Sequence, residues 1–315
     1  MVKAKCPKEV IFSGGNFGTI SFLGCIQALI DSENFETKNV KRWVGTSGGA
    51  VICFLLAIGY NTKTVMKVLK EVPLSKISKL SSDKWLSFFD KYGLHNTNSF
   101  RRLFEIMLSH KGLDVDLTFI EFYKKTNIEL VFTSFCLNTE SLALLNHEKT
   151  PTLKILDALC MAIAVPFLFL PVSYQNRLYV DGFIVSNHPV DMCTCSGEDS
   201  ISFCLRKTAD YYDKIDITTY MRILINSPLT KIQEVDLKGY KGKNYSVLCN
   251  HKFGSSFDFS PSTIEGFYDC GYKTIMDEAT EKNRREFNSS SDSESSDSES
   301  SDNESIYEVS FDIDT

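Results

Sequence analysis

The chain has 315 residues, 43% of them hydrophobic, which is enough to bury the core of one large α/β domain. Its 34 Lys and Arg against 40 Asp and Glu give a net charge of −6, so nothing in the balance calls for a nucleic-acid partner. The ten cysteines are scattered without a C-x-x-C pair, and the most apolar stretch, Ala158 to Val172, is interrupted by Pro166 and Pro171 and falls short of a bilayer span.

In chain order, Met1-Val2-Lys3-Ala4-Lys5-Cys6-Pro7 leads straight into a strand, Glu9-Val10-Ile11-Phe12, with no apolar leader region. The chain is therefore expected to be intracellular with free thiols. A glycine-rich turn follows, Ser13-Gly14-Gly15-Asn16-Phe17-Gly18, and then helical spacing at Ile20, Leu23, Ile26 and Leu29-Ile30. Val40 to Val44 reads as a second strand, and Val51 to Ile58 as a buried helix ending at Gly59. Residues 61–125 read as a largely helical insertion, with apolar positions at Val65, Val68 and Leu69, and again at Phe100, Leu103, Phe104, Met107 and Leu108. Glu129 to Phe135 is a strong strand, Leu142 to Asn146 pairs nearby, and Leu153 to Ala164 is a helix. Leu178-Tyr179-Val180-Asp181 and Ser202 to Leu205 are further strands, while Thr218 to Ile225 and Thr263 to Arg285 are helices. This alternation predicts an α/β/α sandwich, a mostly parallel sheet with helices on both faces.

The character changes at Asn288. Ser289 to Ser305 repeats Ser with Asp and Glu without one apolar residue, so residues 288–315 are expected to be a disordered acidic tail behind a domain spanning 1–287. The tail holds nine acidic and no basic side chains, which leaves the body at +3. Such a body suits an anionic surface, and the acidic-flanked serines make the tail a candidate kinase substrate whose phosphorylation would weaken that attraction.

Three segments carry chemistry. Gly45-Thr46-Ser47-Gly48-Gly49 fits G-x-S-x-G, a serine on a sharp strand-to-helix turn that needs small neighbours. The turn at Gly14-Gly15-Asn16 points backbone N–H groups at one spot beside a helix start, suited to a phosphate or an oxyanion. It is not a dinucleotide fingerprint, which would need glycine at Asn16. Asp181-Gly182, at a strand end, is either a catalytic base or a turn-capping aspartate. Cys193-Thr194-Cys195 has only His188 nearby, so structural zinc is not expected. His95, His110, His147 and His188 are expected to be surface or satisfied polar residues.

Taken in order, these segments resemble the patatin-like phospholipase family over roughly residues 8–285. Ser13 to Thr19 matches its oxyanion loop, Gly45 to Gly49 its nucleophile motif and Asp181-Gly182 its dyad aspartate. Met161 to Val172 is similar to its approach to that aspartate, and Asn187-His188-Pro189-Val190 to the stretch after it. Asn16 stands where the family usually has a third glycine, Gly18 where it has Arg or Lys, Thr19 where it has another glycine, and Phe183 where it favours Gly or Ala.

The resemblance implies a Ser47–Asp181 dyad with an oxyanion hole at Gly14, Gly15 and Asn16, and an ester hydrolase working through an acyl-serine without cofactor or metal. It implies lipid substrates met at a peripheral membrane or lipid-droplet surface from the cytoplasm. The 61–125 insertion is then a candidate lid or acyl-chain groove. Trp85 to Phe89 and Phe167 to Phe169 are candidate lipid contacts or ordinary core. Two other readings stand beside it. One is a Ser47–Asp181–His251 α/β-hydrolase, although only one strand precedes the elbow's own. The other is a non-catalytic lipid-binding protein with the same fold.

Overall fold

The computed structural model describes residues 6–32, 35–72, 92–195, 197–206, 237–249 and 260–291, with isolated positions between 215 and 224. The chain forms two compact units, Met1–Met276 and Asp277–Thr315. Trp85 to Phe89, most of the helix expected at Thr218 to Ile225, His251 and the tail from 292 onward lie outside the described residues.

The strands are β1 (Glu9–Phe12), β2 (Arg42–Thr46), β3 (Gly93–His95), β4 (Glu129–Cys136), β5 (Ser141–Leu145), β6 (Phe167–Phe169), β7 (Val172–Tyr174), β8 (Arg177–Asp181), β9 (Ser200–Arg206) and β10 (Lys243–Leu248). The helices are α1 (Ile20–Asp31), α2 (Gly48–Ala57), α3 (Thr62–Glu71), α4 (Asn98–His110), α5 (Phe119–Thr126), α6 (Ile155–Ala162) and α7 (Pro261–Ser291). The main sheet runs β10-β9-β1-β2-β4-β8-β7. Its first five strands are parallel; β8 and β5 pair antiparallel with β4, and β7 with β8. It is thus a mixed, mostly parallel sheet with helices on both sides.

Strand alternation explains the layers. Val10, Phe12, Trp43, Leu130 and Phe132 face the large core shared with α1, α2 and α6. Their neighbours Ile11, Val44 and Val131 face a smaller cluster closed by Val190, Met192 and Leu237. Because both faces are covered, these strands read as continuous apolar runs rather than alternating ones. Behind the glycine-rich turn, Phe12 packs on Phe22 and Phe203 with ring centroids 5.3 and 5.2 Å apart, and Phe203 stacks on Tyr245. α7 lies against α1 almost backbone to backbone: a Cβ at Gly24 would collide with the Tyr268 carbonyl, and one at Gly271 with the Ser21 carbonyl.

The 61–125 insertion differs from the expectation in one respect. It contains α3, α4 and α5, but also β3, which pairs parallel with β6 in a separate two-stranded sheet. Glycine at position 93 is required there, because a Cβ would lie 2.5 Å from the Phe169 carbonyl carbon.

Candidate active site

The site lies at the C-terminal ends of β1, β2 and β4, where an open parallel sheet leaves loops to converge. β2 ends at Thr46, and α2 begins at Gly48 with no intervening loop. Ser47 therefore takes the whole change of direction, at φ 54° and ψ −127°, a strained conformation for a residue with a side chain. The flanking glycines are required by proximity. A Cβ at Gly45 would lie 2.6 Å from the Ala50 nitrogen, and one at Gly49 would lie 2.6 Å from the Ser13 carbonyl oxygen. The helix start directly behind Ser47 favours negative charge on its oxygen.

Asp181 reaches the same spot by the register of β4. Thr46 pairs with Thr133, and Asp181 pairs with the next residue, Ser134. The residues that pair beside Ser47 and with Asp181 are thus adjacent on one strand. Thr133 Oγ1 is 2.7 Å from Thr46 Oγ1, and the Ser134 hydroxyl donates to the Val180 carbonyl at 2.7 Å. A Cβ at Gly182 would lie 2.6 Å from Thr133 Oγ1, so the aspartate's neighbour must be glycine for β8 to close on β4.

The electrostatics of Asp181 are unusual. It is fully buried, and its Oδ1 accepts from the Phe183 N–H at 3.0 Å, capping a short turn. Oδ2 is buried without a hydrogen-bond partner among the described residues. Burial pushes its pKa up to about 7, with hydrogen bonding from Ser47 and then from the Phe183 N–H pulling the other way. The Ser47 hydroxyl is thus near enough to influence the carboxyl, but it makes no fully formed bond to Oδ2, a common state for catalytic pairs without substrate.

The glycine-rich turn is anchored on both sides. The Gly14 N–H donates to the Asn187 carbonyl at 2.8 Å, and the Ser13 N–H to the Phe203 carbonyl at 3.0 Å. Gly14 therefore has its only backbone donor occupied. Among the described residues, no backbone carbonyl takes the N–H of Gly15 or Asn16. Asn16 stands at φ 53°, a left-handed conformation that asparagine tolerates better than most residues. Gly18 sits against Leu205, where a Cβ would lie 2.8 Å from Cδ1. Thr19 adds something a glycine cannot: its hydroxyl donates to the Asn16 carbonyl at 2.7 Å. Of the three departures from the family pattern in this loop, the threonine is the one whose contact a glycine could not make.

Other expectations fare differently. His188 is neither exposed nor satisfied: it is fully buried, and neither ring nitrogen has a hydrogen-bond partner among the described residues. Burial lowers its pKa to about 3, so it is neutral. Cys193 and Cys195 gather around Glu9: the Cys193 thiol donates to Glu9 Oε2 at 3.0 Å, and the Cys195 N–H to the same atom at 3.1 Å. Asn187 and Thr19 lie in the family-like segments named from sequence, but their hydrogen bonds to this loop were not anticipated, and Thr133 was not singled out at all, because its pairing with Thr46 is revealed only by folding.

The family profile described as patatin-like phospholipase matches residues 10–194. The chain belongs to that family, a class of lipid hydrolases. It is 24% identical over 282 residues to an uncharacterized protein, R571, of Acanthamoeba polyphaga mimivirus, covering 86% of this chain and 93% of that one. It is 27% identical over 193 residues to a probable lipid hydrolase, 463L, of Invertebrate iridescent virus 6, covering 61% of this chain and 64% of that one. Among solved structures, the fold is similar to VipD from Legionella pneumophila, with a TM-score of 0.57 at 16% identity, covering 86% of this chain and 66% of that one. Among the described residues no helix is long and apolar enough to cross a membrane.

Proposed function

We propose that this protein is a serine-dependent lipid acyl hydrolase, of phospholipase A or lysophospholipase type, with Ser47 as nucleophile and Asp181 as base. One observation carries the reading: a strained serine at a helix start meets a buried aspartate whose pKa is raised to about 7. A base poised near the working pH combines a usable ionised fraction with the driving force to take a proton. An ordinary aspartate, ionising near 3.9, would be too weak.

Ser47 Oγ attacks the ester carbonyl carbon while its proton passes to Asp181. The N–H groups of Gly15 and Asn16 donate to the oxyanion, and Gly14 holds the loop through Asn187. Collapse breaks the bond to the alcohol, which leaves with the proton from Asp181, and an acyl-serine remains. Water then gives a proton to Asp181 and attacks the acyl carbon. The fatty acid departs as Ser47 recovers its proton. Asp181 Oδ1, tied to the Phe183 N–H, fixes the carboxyl plane, so Oδ2 is the atom that exchanges the proton. The substrate side would be a peripheral membrane or lipid-droplet surface, with the insertion at 61–125 as a lid or acyl-chain groove and the acidic tail as a kinase substrate.

The test is fluorophosphonate labelling of the full chain together with fatty-acid release from phospholipid vesicles. Loss of both in Ser47→Ala, with release collapsing in Asp181→Asn, is the expected result. Absence of labelling in the folded parent protein sinks the catalytic reading in favour of a lipid-binding one. Replacing His251 separates dyad from triad: a dyad enzyme keeps its turnover.

A further inference from the structure

Away from the dyad, at the far edge of the main sheet, two thiols meet across elements distant in sequence. Cys249 follows the last residue of β10, and Cys270 lies in the third turn of α7. Their sulfurs are 3.8 Å apart, with the Cys249 thiol donating to Cys270 Sγ. Cys270, as a thiol, donates to the Leu248 carbonyl at 3.3 Å, so its side chain is aimed at the end of β10 rather than at solvent. Both residues are half-buried, and neither is in a disulfide. A disulfide needs a sulfur separation of about 2 Å, so oxidation must draw the two sulfurs together from contact distance and give up the hydrogen bond between the thiols.

The groups around the pair suit this chemistry. Hydrogen bonding from Cys249 lowers the Cys270 pKa to about 7, with the charge of Lys273 helping, so Cys270 is the more acidic thiol of the pair and is partly ionised at neutral pH. Cys249 is correspondingly pushed up, first by its bond to Cys270 and then by burial. One partner is thus the nucleophile and the other the resolving thiol, the division found in redox-active pairs. The backbone frame is rigid at this point: Gly271, next to Cys270, packs directly on Ser21 of α1, and its carbonyl accepts from the Cys25 thiol at 3.3 Å.

We propose that Cys249 and Cys270 are a redox-active thiol pair, which a small-molecule disulfide such as oxidised glutathione converts to an intramolecular disulfide fastening α7 to the end of β10. In the first step the Cys270 thiolate attacks one sulfur of oxidised glutathione, breaking its S–S bond and releasing one glutathione thiolate. In the second, Cys249 loses its proton and attacks Cys270 Sγ, expelling the second glutathione thiolate. Two protein thiols are oxidised, one glutathione disulfide is reduced, and the two thiol protons end on the two glutathiones. The closed loop holds residues 250–269, so the cross-link also restrains the chain between β10 and α7.

The experiment is a redox titration of the full chain against defined mixtures of oxidised and reduced glutathione, quenched by alkylation and read by mass spectrometry. Cleavage after Lys243, Lys252 and Lys273 places the two cysteines on separate peptides, 244–252 and 253–273. The expected result is a cross-link between these two peptides, a loss of two of the ten alkylatable thiols, and a higher unfolding midpoint that reductant reverses. Cys249→Ser should stop at a glutathione adduct on Cys270, and Cys270→Ser should leave Cys249 unmodified. A parent protein that keeps all ten thiols, that stops at the glutathione adduct, or that links Cys270 to Cys25 instead, overturns the assignment. Ester hydrolysis does not enter the readout, so the result stands apart from that of the catalytic reading.

Discussion

Two buried carboxylates sit toward opposite ends of the main sheet, and their pKa values shift in opposite directions. At the N-terminal ends, Glu9, Arg42 and Glu129 are register partners on β1, β2 and β4. Arg42 pairs with Glu9 and, at 2.9 Å, with Glu129, and it donates to the Met192 carbonyl at 2.8 Å. Glu9 also accepts from the N–H groups of Thr194 and Cys195 and from the Cys193 thiol. Burial raises its pKa, but Cys193, Arg42 and Cys195 together outweigh that, and the net shift is downward. At the C-terminal ends, no cation pairs with Asp181 and only one of its oxygens has a partner among the described residues, and burial wins. Two carboxylates both shielded from solvent, but with different partners, thus yield a structural brace at one end and, on the reading proposed above, a base at the other.

The largest effect should come from Asp181→Asn. Removal of a positioned base lowers kcat by about 10²–10⁴-fold. The same change should stabilise the fold above neutrality. A folded pKa near 7 against an unfolded value near 3.9 means the native state holds a proton that the unfolded state has lost. Stability contributed by this group is therefore complete below about pH 4, falls as pH rises toward 7, and is flat beyond. Asparagine escapes that loss. Thermal melts at pH 8 should show the variant more stable than the parent, with the gap closing toward pH 4; a variant less stable at pH 8 would contradict the unpaired-carboxylate account. The parent's kcat/KM should fall on the acid side with a midpoint near pH 7.

Arg42→Met tests the other end. Leaving Glu9 buried without its cation should cost about 3–5 kcal/mol, read as a lowered urea midpoint. Adding Glu9→Gln should recover much of it, since the uncompensated charge is then gone. Glu9 contributes in the opposite pH sense to Asp181: its depressed pKa adds stability above the unfolded value near 4.5, and this is lost as pH falls through the folded one. Folded Arg42→Met that has lost turnover at low temperature would show that the two ends are not independent.

The site end was far more legible in sequence than the brace. Ser47, Asp181 and the glycine-rich turn announce themselves because sharp turns demand small residues in fixed order, and because β1, β2, β4, β8 and β9 are dense apolar runs. Glu9, Arg42 and Glu129 look like ordinary surface charges flanking strands; that they share a rung depends on register between distant segments. β10 escaped notice because Lys243-Asn244-Tyr245-Ser246-Val247-Leu248, lying at the sheet edge, mixes polar residues into its pairing. There Asn244 receives the Ser202 hydroxyl at 2.8 Å, so its polarity is used within the sheet.

Thr133 packs against the neighbours of both proposed dyad residues, Thr46 and Gly182, and its effect should be intermediate. Thr133→Val keeps the branched shape but removes the hydroxyl shared with Thr46, while Thr133→Ser keeps the hydroxyl. A slight shift of Ser47 relative to Asp181 should lower kcat about tenfold in the valine variant with KM unchanged, and serine should restore most of it. Equal losses in both variants would assign Thr133 to packing alone.

The smallest effect belongs to Asn16. Its left-handed backbone is shared by glycine, so Asn16→Gly should keep the loop's shape and leave kcat within about twofold of the parent, at a stability cost of under about 1 kcal/mol from the freer unfolded chain. Asn16→Val adds a branched side chain at the same φ and should lose on the order of 1–2 kcal/mol, or turn the Asn16 N–H away and reduce kcat. If valine and glycine behave alike, the loop does not hold its conformation in solution, and the asparagine owes its place to its amide rather than to its backbone. A difference between them assigns it to the backbone, leaving the loop's N–H groups aimed as the comparison between the two strand ends requires.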